Sequence, residues 1–331
     1  PPGARSVSMR ITIAGREIGP GRPAYLVAEM SANHGQDFDA AVRILRAMKE
    51  AGADAVKVQT YTPDTMTLDC DRPEFRLGKG TLWEGQRLYQ LYGEAFTPWA
   101  WQPKLKAEAE ALGLHFFSTP FDDTAVDFLE GLGVPAHKIA SFELVDTALL
   151  RKVARTRKPV ILSTGMASRE EIDEAVATLR DAGCAQLVLL KCTSAYPAPP
   201  EEMNLRTIPD LARRYGVPVG LSDHTLGIRA AAAAVALGAC LIEKHFTLRR
   251  ADGGPDSAFS LEPPEFKAMA QAVRETEAML GVVSYEISEH EKASRVFRRS
   301  LFVVEDMEAG EPFTERNVRS IRPGYGLPPK H

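Results

Sequence analysis

An eight-stranded β/α barrel is what this chain of 331 residues predicts, on three observations. Hydrophobic runs of strand length recur eight times, segments of helical periodicity separate them, and run after run finishes in polar, chemically capable residues. The last feature matters most, because a β/α barrel builds its active site from strand ends at the C-terminal face. The candidate strands are AYLVAE (24–29), AVKVQ (55–59), HFFSTP (115–120), HKIAS (137–141), PVILST (159–164), LVLLKCT (187–193), PVGLSD (218–223) and CLIEKHF (240–246). Their near-continuous apolar character suits parallel strands covered on both faces. DAAVRILRAMKEAG (39–52) and REEIDEAVATLRDAG (169–183) carry the helical period between them and stop at Gly, a normal helix end.

Taken in order, residues 1–23 hold an N-terminal extension and RITIAGREIG (10–19), whose alternation around Ala14-Gly15 reads as a β-hairpin. The barrel is expected over 24–281, with a helix at 263–280 completing it. Two connections exceed the few residues usual between elements: 61–97 after the second strand and 247–262 after the eighth. Both leave strand C-termini, so both are expected to cover the mouth. The charged stretch 282–299 reads as a linker, and 300–331 opens a β-rich unit too short to own a core.

Bulk properties exclude several classes of function. A net charge of −4 argues against nucleic acid as main partner, since phosphate backbones call for a basic face. No apolar run approaches the roughly 20 residues of a membrane span, and the first residues show no signal-peptide core. Cys70, Cys184, Cys192 and Cys240 lack paired spacing and read as free thiols in a reducing, cytoplasmic setting.

Histidine position separates chemistry from packing. His115 and His137 begin their strands, at the stabilising end of the barrel. His224 and His245 stand where the seventh and eighth strands run out, so their imidazoles converge as half of a divalent metal site with positions left for water and substrate. Structural hydrogen bonding is the competing reading for either alone. His34, after the first strand, also faces the mouth, whereas His290 and His331 lie outside the barrel. Lys57 interrupts an apolar strand and Lys138 repeats this two strands on. A buried ammonium needs an anion, supplied either by a ligand or, for Lys57, by Glu29. With Thr119, Ser141 and Ser222 as hydroxyl donors the two lysines would cradle a phosphate or carboxylate. Lys138 and Ser141 have opposite parity, so Ser141 must lie beyond the regular strand. Lys191 and Lys244 have the wrong parity for the lumen and are set aside. Glu29, Glu143 and Asp256 are the acids near the mouth, suited to proton transfer or to solvation. Tyr196 is placed to stack on or bond a sugar, and the aromatic segment 81–101 either packs as a helix on the rim or touches that sugar.

The segments AEMSANH, VKVQTY, FFSTPFD, KIASFE, LSTGMAS, LLKCTSAYPAP, GLSDHT, EKHFT and GPDSAFS together resemble the nonulosonic (sialic) acid synthase superfamily over about residues 10–331. TLWEGQRLYQLYGEAFTPW, CTSAYPAP and GPDSAFS resemble its pseudaminic branch, where the sialic and legionaminic branches usually read GPDH. The resemblance implies a phosphoenolpyruvate-dependent TIM barrel that condenses this substrate with an acetamido-hexose, here 2,4-diacetamido-2,4,6-trideoxy-L-altrose. It implies a metal (Mn2+, Mg2+ or Co2+) on His224 and His245, and a C-terminal antifreeze-like (SAF) domain swapped across a homodimer. Lys57, Thr119, Lys138, Ser141, Ser194 and Ser222 match phosphoenolpyruvate-binding positions, although the sialic branch has Asn at the position of Ser194. Glu29 matches a catalytic acid. Glu143, Tyr196 and Asp256 match sugar-binding positions, and Arg322, in RPGYG, matches an arginine contributed by the partner subunit. The alternatives are N-acetylneuraminate or legionaminic acid synthesis and, more distantly, a lysine Schiff-base aldolase on Lys57 or Lys138 or a non-catalytic carbohydrate-binding barrel.

Overall fold

The computed structural model describes residues 9–78, 80 and 82–331; the extension 1–8 and Thr81 at the head of segment 81–101 lie outside them. The chain divides into two compact units, 1–280 and 281–331. In the first, a hairpin of β1 (Ile11–Ile13) and β2 (Arg16–Ile18) precedes eight parallel strands: β3 (Tyr25–Glu29), β4 (Ala55–Thr60), β5 (His115–Pro120), β6 (His137–Ile139), β7 (Val160–Ser163), β8 (Leu187–Cys192), β9 (Val219–Asp223) and β10 (Leu241–His245). They close into a barrel in the order β10-β3-β4-β5-β6-β7-β8-β9. The expected barrel is present strand for strand. Nearly every strand residue is buried, as apolar strands between a filled lumen and a ring of helices must be.

Local signals explain the helices. Ser168 and Glu171 form a reciprocal capping box at the start of Arg169–Asp181, worth about 1 kcal/mol at such a terminus. Gly133, with φ at 72°, ends Asp123–Leu132 in the left-handed conformation, which costs a glycine nothing. At the N-terminal end of the barrel the hairpin buries Ile13 and Ile18, and Arg16 pairs with Asp54 at 2.5 Å while standing over the Tyr25 ring. His115 bonds the Tyr25 hydroxyl at 2.8 Å and His137 bonds Glu130 at 2.8 Å, both structural duties.

The long connection 61–97 is not a bare loop. It contains short helices at Pro63–Met66 and Leu88–Ala95, and its far end is anchored by His34. That side chain is buried, its Nε2 lies 3.1 Å from the Thr97 hydroxyl and its ring meets Trp101 edge-on. Burial lowers its pKa to about 4, so His34 is a neutral bracket for the rim rather than a group facing the mouth.

The second unit carries β11 (Ser300–Val303) paired antiparallel with β12 (Val318–Ile321). Residues 282–299, expected as a linker, belong to this unit and fold into a helix at Glu289–Lys292 and a 3-10 segment at Ala293–Phe297. The reason is local: Ser288 and Glu291 form a second capping box, which nucleates a turn that charge content alone does not announce.

Candidate active site

Strand register assembles the site at the C-terminal face. Glu29 sits beside His245 of β10 on one side and Lys57 of β4 on the other, while Glu243 faces Ser222 across β10 and β9. Because barrel side chains alternate between lumen and helices, these residues share the lumen. His224 follows β9 directly, and its ring centroid lies 5.5 Å from that of His245.

The floor is a buried charge cluster. Lys57 is in direct ion-pair contact with Glu29 and lies 3.7 Å from Glu243, and its Nζ donates to Thr119 Oγ1 at 3.3 Å. Lys138 stands 3.9 Å from the same Glu243 oxygen and donates to its neighbour's carbonyl, Ile139 O, at 3.0 Å. Glu243 Oε1 accepts from the Ser222 hydroxyl at 2.9 Å. The anion that Lys57 meets is thus the Glu29 carboxylate, on a side chain that faces the lumen. Burial depresses Lys138. For Lys57 burial pulls the same way, but Glu243 and Glu29 outweigh it and hold the ammonium above its usual range. Burial pushes Glu243 up, but the facing Lys138 and Lys57 prevail and hold its carboxyl below the usual range. Glu29 is raised, burial prevailing over Lys57. Glu243 was missed by sequence reasoning, although its parity with His245 two residues later would have placed it in the lumen.

Ser141 and Ser194 meet hydroxyl to hydroxyl at 2.9 Å. Ser141 opens a 3-10 turn at Ser141–Glu143, beyond the end of β6, which resolves its parity conflict with Lys138. Gly165 makes this contact possible. It has φ at +47°, and a Cβ there would fall on Ser141 and come within 2.7 Å of Ser194 Oγ. This second residue missed in the sequence is signalled only by tertiary approach.

The two histidines differ. His224 Nδ1 lies 2.9 Å from the Thr193 carbonyl, so it carries the proton and leaves Nε2 free. His245 Nδ1 is buried without a partner. Burial, then His224 and Lys57, drive His245 well below its ordinary value; burial also pulls His224 down, but its contact with Cys192 prevails and raises it. Among the described residues no group of three or more His, Cys, Asp and Glu side chains stands ready for a metal. The chain offers two imidazoles, one of them with an orphaned ring nitrogen, a donor set that fits a divalent cation completed by water and substrate.

Above the floor opens a cleft of about 380 Å³, walled by Tyr61, Met66, Trp83, Leu88, Tyr92 and Phe142 among others. Tyr196 lines it and packs on His224 with centroids 4.4 Å apart. Glu143 and Asp256 line it too; burial raises both, Glu143 to about 7. Asp256 is bonded to the Ser31 hydroxyl. Trp83 donates its indole N–H to the Pro255 carbonyl at 3.0 Å, fastening one long connection to the other. Ser257, by contrast, turns its hydroxyl to Gly254 O at 3.2 Å and does not line the cleft. Arg322 belongs to the second unit, where it is exposed. A more open cleft of about 760 Å³, lined by Lys191, Asn204 and Arg206, also reaches Gly165 but none of the floor's lysines, carboxylates or histidines.

The NeuB family model matches residues 44–285. Pseudaminic acid synthase from Helicobacter pylori is 45% identical over 310 residues, which cover 93% of this chain and 91% of that protein. N,N'-diacetyllegionaminic acid synthase from Legionella pneumophila is 36% identical over 311 residues, covering 92% of this chain and 87% of its own. Among solved structures, N-acetylneuraminic acid (sialic acid) synthetase from Leptospira borgpetersenii, in complex with citrate, superposes with a TM-score of 0.76 at 31% identity, over 86% of this chain and 94% of that one. A barrel of this order, a floor of paired lysines and carboxylates beneath two histidines, and similarity along nearly the whole length have one explanation: the chain belongs to the NeuB family.

Proposed function

We infer that this chain is a pseudaminic acid synthase, joining phosphoenolpyruvate to 2,4-diacetamido-2,4,6-trideoxy-L-altrose with release of phosphate. The observation that carries this reading is the pairing of a floor that holds two buried lysines, each beside a carboxylate, with an apolar wall. The identity to pseudaminic acid synthases, higher than to the legionaminic relative, supports it. In the reaction, C3 of phosphoenolpyruvate bonds to the aldehyde carbon of the open-chain sugar, water adds to the cationic C2, and phosphate leaves to give the α-keto acid.

Each residue has a part in this. Lys57 and Lys138 balance the phosphate and carboxylate; two opposite charges about 4 Å apart are worth roughly 4 kcal/mol at an effective dielectric near 20. Thr119, Ser141, Ser194 and Ser222 offer hydroxyls to the same anion, Ser222 by turning from Glu243 and the Ser141–Ser194 pair by parting. Glu29, its carboxyl raised by burial, is the proton carrier beside it. His224 and His245 would hold a divalent cation, Mn2+, Mg2+ or Co2+, which when bound polarises the aldehyde oxygen as a Lewis acid. Glu143, Tyr196 and Asp256 orient the sugar, and the apolar wall supplied by Trp83, Leu88 and Tyr92 of segment 81–101 receives its C6 methyl. The unit 281–331 belongs to an antifreeze-like domain that brings Arg322 to the sugar of a partner subunit in a swapped homodimer, and the enzyme works in the cytoplasm. Among the described residues no helix is long and apolar enough to cross a membrane.

Phosphate release, assayed with the 6-deoxy diacetamido sugar and with N-acetylmannosamine, tests the substrate. Equal or better turnover of N-acetylmannosamine overturns it. Loss of activity in EDTA with recovery on adding Mn2+ tests the metal, and borohydride trapping of a sugar adduct on lysine would replace it with Schiff-base chemistry. Mixing Arg322→Ala with Lys57→Ala subunits tests the swap: recovered activity supports it, and none after verified subunit exchange rejects it.

A further inference from the structure

Behind the two histidines stands an ion pair that the reaction does not use. Lys244 precedes His245 on β10, Asp223 precedes His224 at the end of β9, and the two are register partners across the strands. Since the histidines face the lumen, Lys244 and Asp223 point out of it, between the barrel and its helices. Both side chains are wholly buried. Lys244 Nζ donates to Asp223 Oδ2 at 2.8 Å and to the carbonyl of Thr225. Asp223 Oδ1 accepts the Thr225 backbone N–H at 2.9 Å and its hydroxyl at 2.8 Å. One ammonium thus gathers the residues on both sides of His224 and ties them to the residue before His245.

The pair is costly as mere packing. Taking two charges out of water is repaid only by good geometry, and apolar side chains of similar volume usually serve stability as well or better. What an apolar pair cannot do is fix direction. His224 lies one residue past β9 (Val219–Asp223), where its backbone is held, among the described residues, by the Ala198 N–H donating to its carbonyl at 2.9 Å. Every bond of the Lys244 network falls on that departure point.

We propose that Lys244, Asp223 and Thr225 form a clamp that sets the separation and aim of the His224 and His245 imidazoles, making Lys244 and Asp223 positioning residues for the metal site. This rests on the reading of the two histidines as metal ligands. Groups that orient metal ligands typically govern affinity about ten- to a hundredfold.

The test is Mn2+ titration of the purified protein, following the electron paramagnetic resonance of free ion, alongside thermal unfolding of the metal-free chain. The double variant Asp223→Asn/Lys244→Met removes the ammonium without stranding a buried charge, and the amide oxygen still accepts from Thr225. Its Kd for Mn2+ is expected to rise about tenfold or more with Tm within about 5 °C of wild type. Should it fail to fold, the single variant Thr225→Val, which keeps both charges and removes only the hydroxyl on Asp223 Oδ1, is expected to weaken Mn2+ binding in the same direction. Wild-type Kd in a folded variant, with or without a lower Tm, overturns the clamp and leaves a purely structural pair. Mn2+ binding that survives His224→Ala overturns the metal reading and the clamp with it.

Discussion

The floor and the wall of the cleft are built on opposite principles. The floor consists of charges and hydroxyls projecting from strand ends, where Lys57, Lys138, Glu29 and Glu243 are packed within one another's fields. The wall comes mainly from the long connections, where Met66, Leu88, Tyr92 and Trp83 offer surface rather than charge. Strand ends are held by ladder hydrogen bonds on both sides, so they can keep lysines aligned against the cost of burial. Connections are held by a few contacts such as the Trp83 indole on Pro255 and His34 on Thr97. On the function proposed above, chemistry common to any acceptor sugar belongs to the floor, and the choice of sugar to the wall.

The largest effect expected is at Lys57. Lys57→Met leaves Glu29 and Glu243 short of a cation, and phosphate release should fall at least about a thousandfold for every sugar tried. A loss confined to one sugar would break the division between floor and wall. Gly165→Ala sharpens it next: the added methyl forces Ser141 and Ser194 apart, so KM for phosphoenolpyruvate should rise about tenfold, with the preference among sugars unchanged. Leu88→Gln probes the other side. A polar group in the apolar wall should cut the kcat/KM preference for the 6-deoxy over the 6-hydroxy sugar about tenfold, with KM for phosphoenolpyruvate unmoved; steady-state kinetics on both sugars reads each value.

The smallest effect is one of pH. Glu143 is held up to about 7 against an ordinary value of 4.5, so between those values the folded chain keeps a proton that the unfolded chain has released. Its contribution to stability is thus fully present below about 4.5 and is lost as pH rises through about 7. Thermal unfolding of wild type and Glu143→Gln across this window should show a flatter profile for the variant; parallel profiles would remove Glu143 from the buried part of the wall.

Much of this was written in local pattern. Eight apolar runs with helical spacers determine a barrel because only parallel strands covered on both faces bury them, and strand-end position separated His224 and His245 from His115 and His137. Parity foresaw that Ser141 had to leave the regular strand. Other features were settled by approach in three dimensions. That Glu243 lies between two lysines depends on which strands become neighbours when the barrel closes. The need for glycine at 165 depends on Ser141 and Ser194 arriving beside it from two other strands. His34, facing the mouth by sequence position, is drawn into the rim by Thr97 and Trp101, 63 residues or more along the chain. Lys244, excluded from the lumen by parity, found its partner on the adjacent strand. Periodicity records which side of a strand a residue takes, because that side is set by the backbone; what stands opposite is decided only when distant segments pack.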